Sequence, residues 1–182
     1  MTPDVNLLVA AFRGDHSRHP IARNWLTEAR EACSEGRHSL VLLPMVVTSF
    51  LRLVTNNRVF TNPDTIADAL AFLDAVVDSP GVELVVCGTE WPTLRTTLLR
   101  LGLKGNLVTD AWIAAAVQAS SEHVVTFDRD FVRLLPARDV TILELSPSSR
   151  SPNIILQPRS HGLPRKPRHH SRFGRFAINI YK

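Results

Sequence analysis

The amino-acid sequence predicts an α/β protein, a three-layer α/β/α sandwich around a central parallel sheet of about five strands. Short apolar runs such as VELVVC and HVVTF are typical of strands that are buried on both faces of a sheet. Longer segments with helical spacing lie between these runs, and crossovers of that kind join parallel strands. The chain has 182 residues, of which 45% are hydrophobic and 21% charged, and this composition suffices for one core of ordinary size.

The first half of the chain is predicted to run strand, helix, strand, helix, helix. Val5–Ala11 is an unbroken apolar run and predicts the first strand. His19–Arg37 has apolar residues at helical spacing with a glycine near its end, so it predicts a helix. Leu40–Leu43 predicts the second strand, and Pro44, a residue tolerated in a first helical turn, opens the next helix. Asp64–Asp78 predicts a further helix, because prolines bound it on both sides.

The second half of the body adds strands and two more helices. The strands are predicted over Val82–Cys87, His123–Phe127 and Val140–Leu145. Between the first two of these, Thr89 is predicted to cap a helix that Gly102 ends. Asp110–Ser120 is rich in alanine and predicts a helix that packs closely against its neighbours.

Charge divides the chain into an acidic body and a basic tail. Residues 1–150 contain 14 of the 21 Lys and Arg and all 17 acids, which gives a net charge of −3, whereas residues 151–182 contain seven cations and no acid. The tail also holds four prolines and has no sustained apolar period. We therefore predict one domain over residues 1–146 and a basic, proline-rich, disordered tail over residues 147–182. Three interpretations of the tail stay open: contact with RNA phosphates, a partner-binding segment, or an accidental extension.

Cysteine usage and hydropathy favour a cytoplasmic protein. Cys33 and Cys87 lie far apart and have no metal-binding spacing, which indicates reduced thiols rather than a disulfide framework. Near the N-terminus Asp4 precedes the first apolar run and Arg13 follows it, the reverse of the order in a signal peptide. No apolar stretch approaches the roughly 18 residues that a membrane span needs, so no membrane partner is expected.

Four aspartates are the candidate functional residues, because each lies close to an apolar stretch. They are Asp4, Asp110, Asp128 and Asp130. Carboxylates at the ends of parallel strands or at the starts of the following helices gather at one edge of an α/β sheet, where they repel one another unless a cation joins them. Carboxylate oxygens suit Mg²⁺ or Mn²⁺, which orient water and neutralise charge in phosphodiester chemistry. The pattern therefore predicts a metal-dependent nuclease.

Four segments together resemble a PIN-domain protein and, more narrowly, the VapC-type toxins of bacterial toxin–antitoxin pairs. The segments are Asp4–Leu8, Phe50–Asn56, Asp110-Ala111 and Thr126–Phe131, and the resemblance covers about residues 1–145 in the right order. It implies a PIN-like sandwich, Mg²⁺-dependent endoribonuclease activity within a type II toxin–antitoxin system, and inhibition by a small VapB-type antitoxin. It further implies a homodimer or a hetero-oligomer with that antitoxin.

The resemblance also implies roles for the four acids. Asp4 and Asp110 match the principal metal ligands of the family, and Asp128 matches its later acid, so these three are the expected catalytic residues. Asp130 is expected to be an additional or alternative ligand. The cofactor implied is Mg²⁺, with Mn²⁺ as a substitute, and its chemistry is activation of a water that attacks the RNA phosphodiester.

One position departs from the family pattern. The residue directly before the Phe50-Leu51-Arg52 segment is usually Glu in the family, and here it is Ser49. A hydroxyl brings no charge, so metal affinity is expected to fall. Two alternatives therefore stay open: a catalytically degenerate PIN-domain protein that only binds antitoxin or RNA, and a metal-dependent phosphatase or DNA nuclease on an α/β scaffold.

Overall fold

The structure, a computed structural model, describes residues 1–144, which contain five short strands and six α-helices. In chain order these elements are β1 (Thr2–Pro3), α1 (Val5–Phe12), α2 (His19–Ser34), β2 (Leu40–Leu42), α3 (Pro44–Val54), α4 (Ile66–Val77), β3 (Val82–Leu84), α5 (Trp91–Leu101), α6 (Leu107–Ser120), β4 (Val124–Thr126) and β5 (Val140–Ile142). Two short 3₁₀ turns, Arg129–Arg133 and Ala137–Asp139, lie between β4 and β5. The predicted α/β class is confirmed.

The strands form two parallel sheets that adjoin at β1 and β2. One sheet has the order β1-β4-β5 and the other pairs β2 with β3. The Met1 amino group donates to the Ser39 carbonyl at 2.8 Å, and the Val41 N–H donates to the Met1 carbonyl at 2.8 Å. In a parallel pair, one residue hydrogen-bonds to the two residues on either side of its partner in the next strand, as Met1 does with Ser39 and Val41. The five strands therefore follow one another in the order β3-β2-β1-β4-β5.

The first strand was predicted in the wrong place, because Val5–Ala11 is helical. The strand is the dipeptide Thr2–Pro3, and α1 begins directly after Asp4, whose carboxylate accepts the Val5 N–H at 2.5 Å as an N-cap. Residues Leu7–Ala11 of α1 are all buried. A helix that is apolar on every side has the same run of residues as a buried strand, so hydrophobic periodicity does not separate the two.

Over the described residues the other predicted elements are confirmed to within a few residues, with differences at two helix starts. Glu90, not Thr89, is the N-cap residue of α5. Gly102 ends this helix in the left-handed conformation, at φ 62°, as predicted. The alanine-rich helix begins three residues earlier than predicted, at Leu107, and so carries Asp110 in its first turn.

Helices α1, α3 and α4 pack together in the core. Phe12 of α1, Phe50 of α3 and Phe72 of α4 form an aromatic cluster with ring centroids 5.2 to 5.6 Å apart. Beside it, the buried Arg13 pairs with Asp15 and Asp64 and stacks on the Phe60 ring at 3.9 Å. These contacts fix the end of α1, and thereby the position of the strand-to-helix junction at Asp4.

Two further predictions concern the domain boundary and the absence of membrane spans. The proposed division into a domain over residues 1–146 and a tail over residues 147–182 stays a prediction, since the tail lies outside the described residues. In the described part of the chain no helix combines the length and the apolarity that crossing a membrane requires.

Candidate metal centre and the groove beside it

The acidic residues lie where β1 and β4 end. These two strands are parallel neighbours, with Thr2 opposite Val124 and Pro3 opposite Val125. Asp4 follows β1 directly, and Asp128 lies two residues after the last residue of β4. Because the carboxyl ends of parallel strands meet at one edge, the topology brings Asp4 and Asp128 to the same side of the sheet.

Asp4 is a buried carboxylate that Thr126 holds in place. Only 3% of its surface is exposed, and its Oδ2 accepts the Thr126 hydroxyl at 2.8 Å while its Oδ1 accepts the Val5 N–H. The Thr126 hydroxyl oxygen also accepts the Asp128 N–H at 2.9 Å. Thr126 is itself fully buried. It therefore ties the first acid to the backbone of the third.

Asn6 supports the end of β4 with its side chain and donates its backbone N–H to the Asp4 carboxylate. Its side-chain oxygen lies 3.4 Å from the Phe127 nitrogen, which donates to it, and 3.4 Å from the Thr126 hydroxyl. Both contacts are long and therefore weak. Of the two residues that the sequence suggested as orienting groups, Thr126 bonds to Asp4 through its side chain, and Asn6 does so only through its backbone.

Asp128 and Asp130 share a tight turn. The Asp128 carboxylate caps the 3₁₀ turn Arg129–Arg133 by accepting the Asp130 N–H at 2.8 Å. Asp128 is half-buried and Asp130 is exposed. One Asp128 oxygen is thus engaged in the turn, and the other remains available toward the cluster.

Electrostatics join the four acids into one cluster. Burial raises the pKa of Asp4 to about 6, although the hydrogen bonds from Thr126 and Val5 oppose the rise. Burial also raises the pKa of Asp110 to about 7, and repulsion by Asp4, Asp128 and Asp130 adds to it. The acids were predicted to gather at one sheet edge. The repulsion that Asp110 experiences from the other three shows that all four lie near one another. From here on they are called the acidic cluster.

The donor chemistry of the acidic cluster fits a hard divalent cation. It offers carboxylate oxygens with no thiol or imidazole among them, and its negative charges repel one another. Across residues 1–144, no three acid, histidine or cysteine side chains already surround a common point closely enough to count as a metal cage. The cluster is therefore an open group of coupled carboxylates.

Ser49, the departure from the family pattern, lies on α3 at the wall of a groove of about 850 Å³. Thr109, which directly precedes Asp110 in α6, lines the same groove. Much of the remaining wall is apolar and includes Val86, Trp91 and Trp112, whose side chains are 98%, 62% and 41% exposed. Ser49 thus contributes a hydroxyl, and not a carboxylate, to the wall of this groove.

Glu90 is a buried acid that the sequence arguments overlooked. It is only 5% exposed, and its two oxygens accept the Trp112 indole N–H at 2.9 Å and the Gly88 N–H at 2.7 Å. Burial alone would raise the pKa of Glu90, but these hydrogen bonds outweigh it and lower the pKa. Both oxygens are engaged, so Glu90 ties the loop before α5 to α6. Its one sequence signal was its place directly before Trp91-Pro92, a typical helix start.

A family model described as the PIN domain matches residues 1–134, which include the whole acidic cluster. The chain belongs to the PIN-domain family. Curated PIN-domain relatives support the narrower resemblance to VapC proteins. "Ribonuclease VapC25" of Mycobacterium tuberculosis is 35% identical over 144 residues, covering 75% of this chain and 94% of the relative.

Two further relatives agree with this assignment. "Ribonuclease VapC31" of Mycobacterium tuberculosis is 35% identical over 138 residues, covering 75% of this chain and 94% of the relative. "VapC ribonuclease Mb2897" of Mycobacterium bovis is 33% identical over 131 residues, covering 71% of this chain and 86% of the relative. The resemblance to VapC-type PIN-domain proteins that the sequence motifs suggested is confirmed.

Proposed function

We propose that this PIN-domain protein is the toxin of a type II toxin–antitoxin system and cleaves RNA as a divalent-metal-dependent endoribonuclease. The observation that carries the proposal is the acidic cluster, in which two carboxylates have pKa values raised to about 6 and about 7. A site that holds unneutralised carboxylates together at the open edge of a sheet gains most from a cation. The relatives named ribonuclease VapC support the choice of RNA as substrate.

Asp4, Asp110 and Asp128 are the proposed catalytic metal ligands, and Asp130 is the proposed additional ligand. When bound, Mg²⁺ or Mn²⁺ supplies a lowered pKa for a nucleophilic water and neutralises charge on the scissile phosphate. Thr126 holds one oxygen of Asp4 by donating its hydroxyl proton at 2.8 Å. Asp128 keeps its backbone fixed through the same hydroxyl. Asp4 and Asp128 are thereby held in position before the substrate binds.

The proposed substrate is RNA with an accessible single-stranded segment. The acidic cluster lies at a sheet edge, where a splayed strand has better access than a closed duplex. The proposed inhibitor is a small VapB-type antitoxin, and the assembly is proposed to be a homodimer or a hetero-oligomer with that antitoxin. Exposed apolar side chains of the groove, Val86 and Trp91 among them, are the kind of surface that a protein partner covers.

The second candidate is a degenerate PIN-domain protein that binds antitoxin or RNA without turnover. Ser49 favours this candidate, because it lines the groove beside Thr109 at the position where the family usually has a glutamate. A cluster with one acid fewer attracts a cation less strongly. The two candidates share the fold and differ only in whether RNA is cleaved.

RNA cleavage by the antitoxin-free protein tests the proposal. We expect the native chain to cleave RNA with Mg²⁺ or Mn²⁺ and not in EDTA. The variant Asp4→Asn, which keeps an N-cap for α1, is expected to be inactive. Ser49→Glu is the decisive companion variant. If the native chain is silent and Ser49→Glu cleaves, the degenerate candidate is correct. If neither cleaves with either metal, the nuclease proposal is wrong.

Thr126→Val is expected to lower the cleavage rate by roughly 10- to 100-fold, the usual effect of losing a group that orients a ligand. The change keeps the shape of the side chain and removes the donor to Asp4, so we also expect about 1.5–3 kcal/mol of lost stability. Cleavage kinetics and thermal unfolding measure the two effects. Thr126→Ser retains the hydroxyl and is the matched control. Equal rates in the two variants would contradict a positioning role for the hydroxyl.

A further inference from the structure

Arg18 stacks on Phe127, the residue directly before Asp128 of the acidic cluster. Its guanidinium carbon lies 4.9 Å from the centroid of the Phe127 ring, the geometry of a cation–π contact. Phe127 is buried and stands directly between Thr126 and Asp128. The contact therefore places a positive charge against the residue that directly precedes Asp128 in the chain.

The charge of Arg18 is available to a ligand. Within residues 1–144 none of the ion pairs involves this guanidinium, in contrast to the buried Arg13, which pairs with Asp15 and Asp64. Stacking engages the face of a guanidinium and leaves the N–H groups at its edge free to donate. Half-buried against Phe127, Arg18 thus presents a charged, donor-rich edge.

The backbone around Arg18 is fixed to the helix that begins at the cluster. The Arg18 N–H donates to His16 Nδ1 at 3.1 Å, and the Arg18 carbonyl accepts the Ala22 N–H at 3.0 Å as α2 starts. The next residue, His19, bonds through Nδ1 to the Ala10 carbonyl of α1 at 2.9 Å. Because α1 starts at Asp4, the turn that carries Arg18 keeps a set position relative to the acids.

We propose that Arg18 binds a backbone phosphate of the RNA strand that enters the acidic cluster. The inference rests on the proposed function and adds a residue to its substrate site. An acidic site repels RNA, which is a polyanion, and a cation close to the site offsets that repulsion as the RNA approaches. A guanidinium matches a phosphate with two parallel N–H···O bonds, and the Phe127 ring fixes the plane of that fork. The contact is with the backbone, so it carries no base preference.

The salt dependence of RNA binding tests this role directly. Binding of a single-stranded oligoribonucleotide is measured by fluorescence anisotropy from about 50 to about 300 mM salt. The logarithm of the binding constant falls linearly with the logarithm of the salt concentration, and one lost phosphate contact makes this slope shallower by about 0.7. We expect Arg18→Ala to show that decrease and to bind roughly 3- to 10-fold more weakly at low salt. Arg18→Lys keeps the charge but not the fork and is expected to keep the slope with an intermediate affinity.

Arg23→Ala is the matched control, because Arg23 is an exposed cation on the same helix. The measurements are made in EDTA, and in Mg²⁺ with the added substitution Asp110→Asn, so that cleavage does not consume the RNA. An unchanged slope in Arg18→Ala, an equal decrease in Arg23→Ala, or no RNA binding by the parent chain in either condition would overturn the inference.

Cleavage by the native chain separates this inference from the proposed function. Metal-dependent cleavage together with an unchanged slope in Arg18→Ala would remove Arg18 alone. An Arg18-dependent slope in a protein that does not cleave RNA would remove the nuclease activity and leave Arg18 as a phosphate-binding residue. Binding of Mn²⁺ in the absence of RNA is expected not to weaken in Arg18→Ala, since removing a positive charge does not disfavour a cation.

Discussion

Asp110→Asn is expected to abolish RNA cleavage and to raise the thermal stability of the metal-free protein at the same time. The two effects have one cause. The Asp110 carboxylate is held among three other acids in a partly desolvated place, which raises its pKa to about 7. Its negative charge costs the fold free energy when no cation is bound. An amide of the same shape removes that charge, and with it a ligand of the proposed metal.

The expected sizes follow from the charge. Loss of a ligand removes several kcal/mol of charge stabilisation, so cleavage is expected to fall by at least about 100-fold. A pKa raised from 3.8 to about 7 gives an upper bound on the stability effect, since each unit corresponds to about 1.4 kcal/mol. With solvent screening at this half-buried site, we expect a gain of roughly 1–3 kcal/mol, or about 3–9 °C in Tm.

Thermal unfolding in EDTA at pH 8 and cleavage kinetics in Mg²⁺ measure the two effects. Asp74→Asn is the matched control, because Asp74 is an exposed acid on α4, away from the cluster. It is expected to leave both Tm and cleavage close to those of the native chain. A lower Tm for Asp110→Asn would mean that the carboxylate stabilises the fold, and the argument from repulsion would then be wrong.

The position of Asp128 was predictable from sequence, whereas that of Asp4 was not, because the predicted first strand Val5–Ala11 placed Asp4 before a strand and not after one. Asp4 and Asp128 each follow a strand of a parallel sheet, and parallel strands bring their carboxyl ends together whatever their length. Asp110 lies in the first turn of an alanine-rich helix, a place that favours an anion by itself. Asp4 joins this edge because the first strand is Thr2–Pro3 and ends directly before it, which the predicted order of elements did not contain.

The first helix escaped prediction because burial erased its periodicity. Val5–Phe12 is almost wholly apolar, so it has no polar face to set a period of 3.6 residues. The signal that distinguishes it is Asp4, read as an N-cap with helical residues after it rather than as a residue next to a strand. The proposed metal ligand and the helix cap are one residue, Asp4, and the cap is the role that marks the start of α1.

Glu90 and the groove were hidden for a different reason. The carboxylate of Glu90 meets the indole of Trp112 across 22 positions of sequence, and such a contact leaves no local pattern. The same holds for Arg18 and Phe127, which lie far apart in the chain and meet only in the fold. Local periodicity predicts elements and their edges, whereas tertiary contacts between side chains require the packed structure.

Without a divalent cation, the protein is expected to be more stable near pH 5 than near pH 8. The folded-state pKa values of Asp4 and Asp110 are raised from 3.8 to about 6 and about 7. Between these values and 3.8 the folded protein binds more protons than the unfolded chain, so its stability falls as the pH rises through this window. His16 acts in the opposite sense, because burial lowers its pKa and stability then rises with pH. Two strongly shifted acids outweigh one half-buried imidazole.

Mg²⁺ is expected to remove most of this loss, because a cation takes the place of the protons that leave the cluster. Its stabilising effect should therefore be large at pH 8 and small at pH 5, where protons compete for the same carboxylates. Thermal unfolding at both pH values, with Mg²⁺ and with EDTA, gives the four Tm values required. Asp110→Asn is the control that should flatten both the pH profile and the response to Mg²⁺. Equal stabilisation by Mg²⁺ at the two pH values would place the cation away from these acids, since a site built on Asp4 and Asp110 must lose affinity as they take up protons.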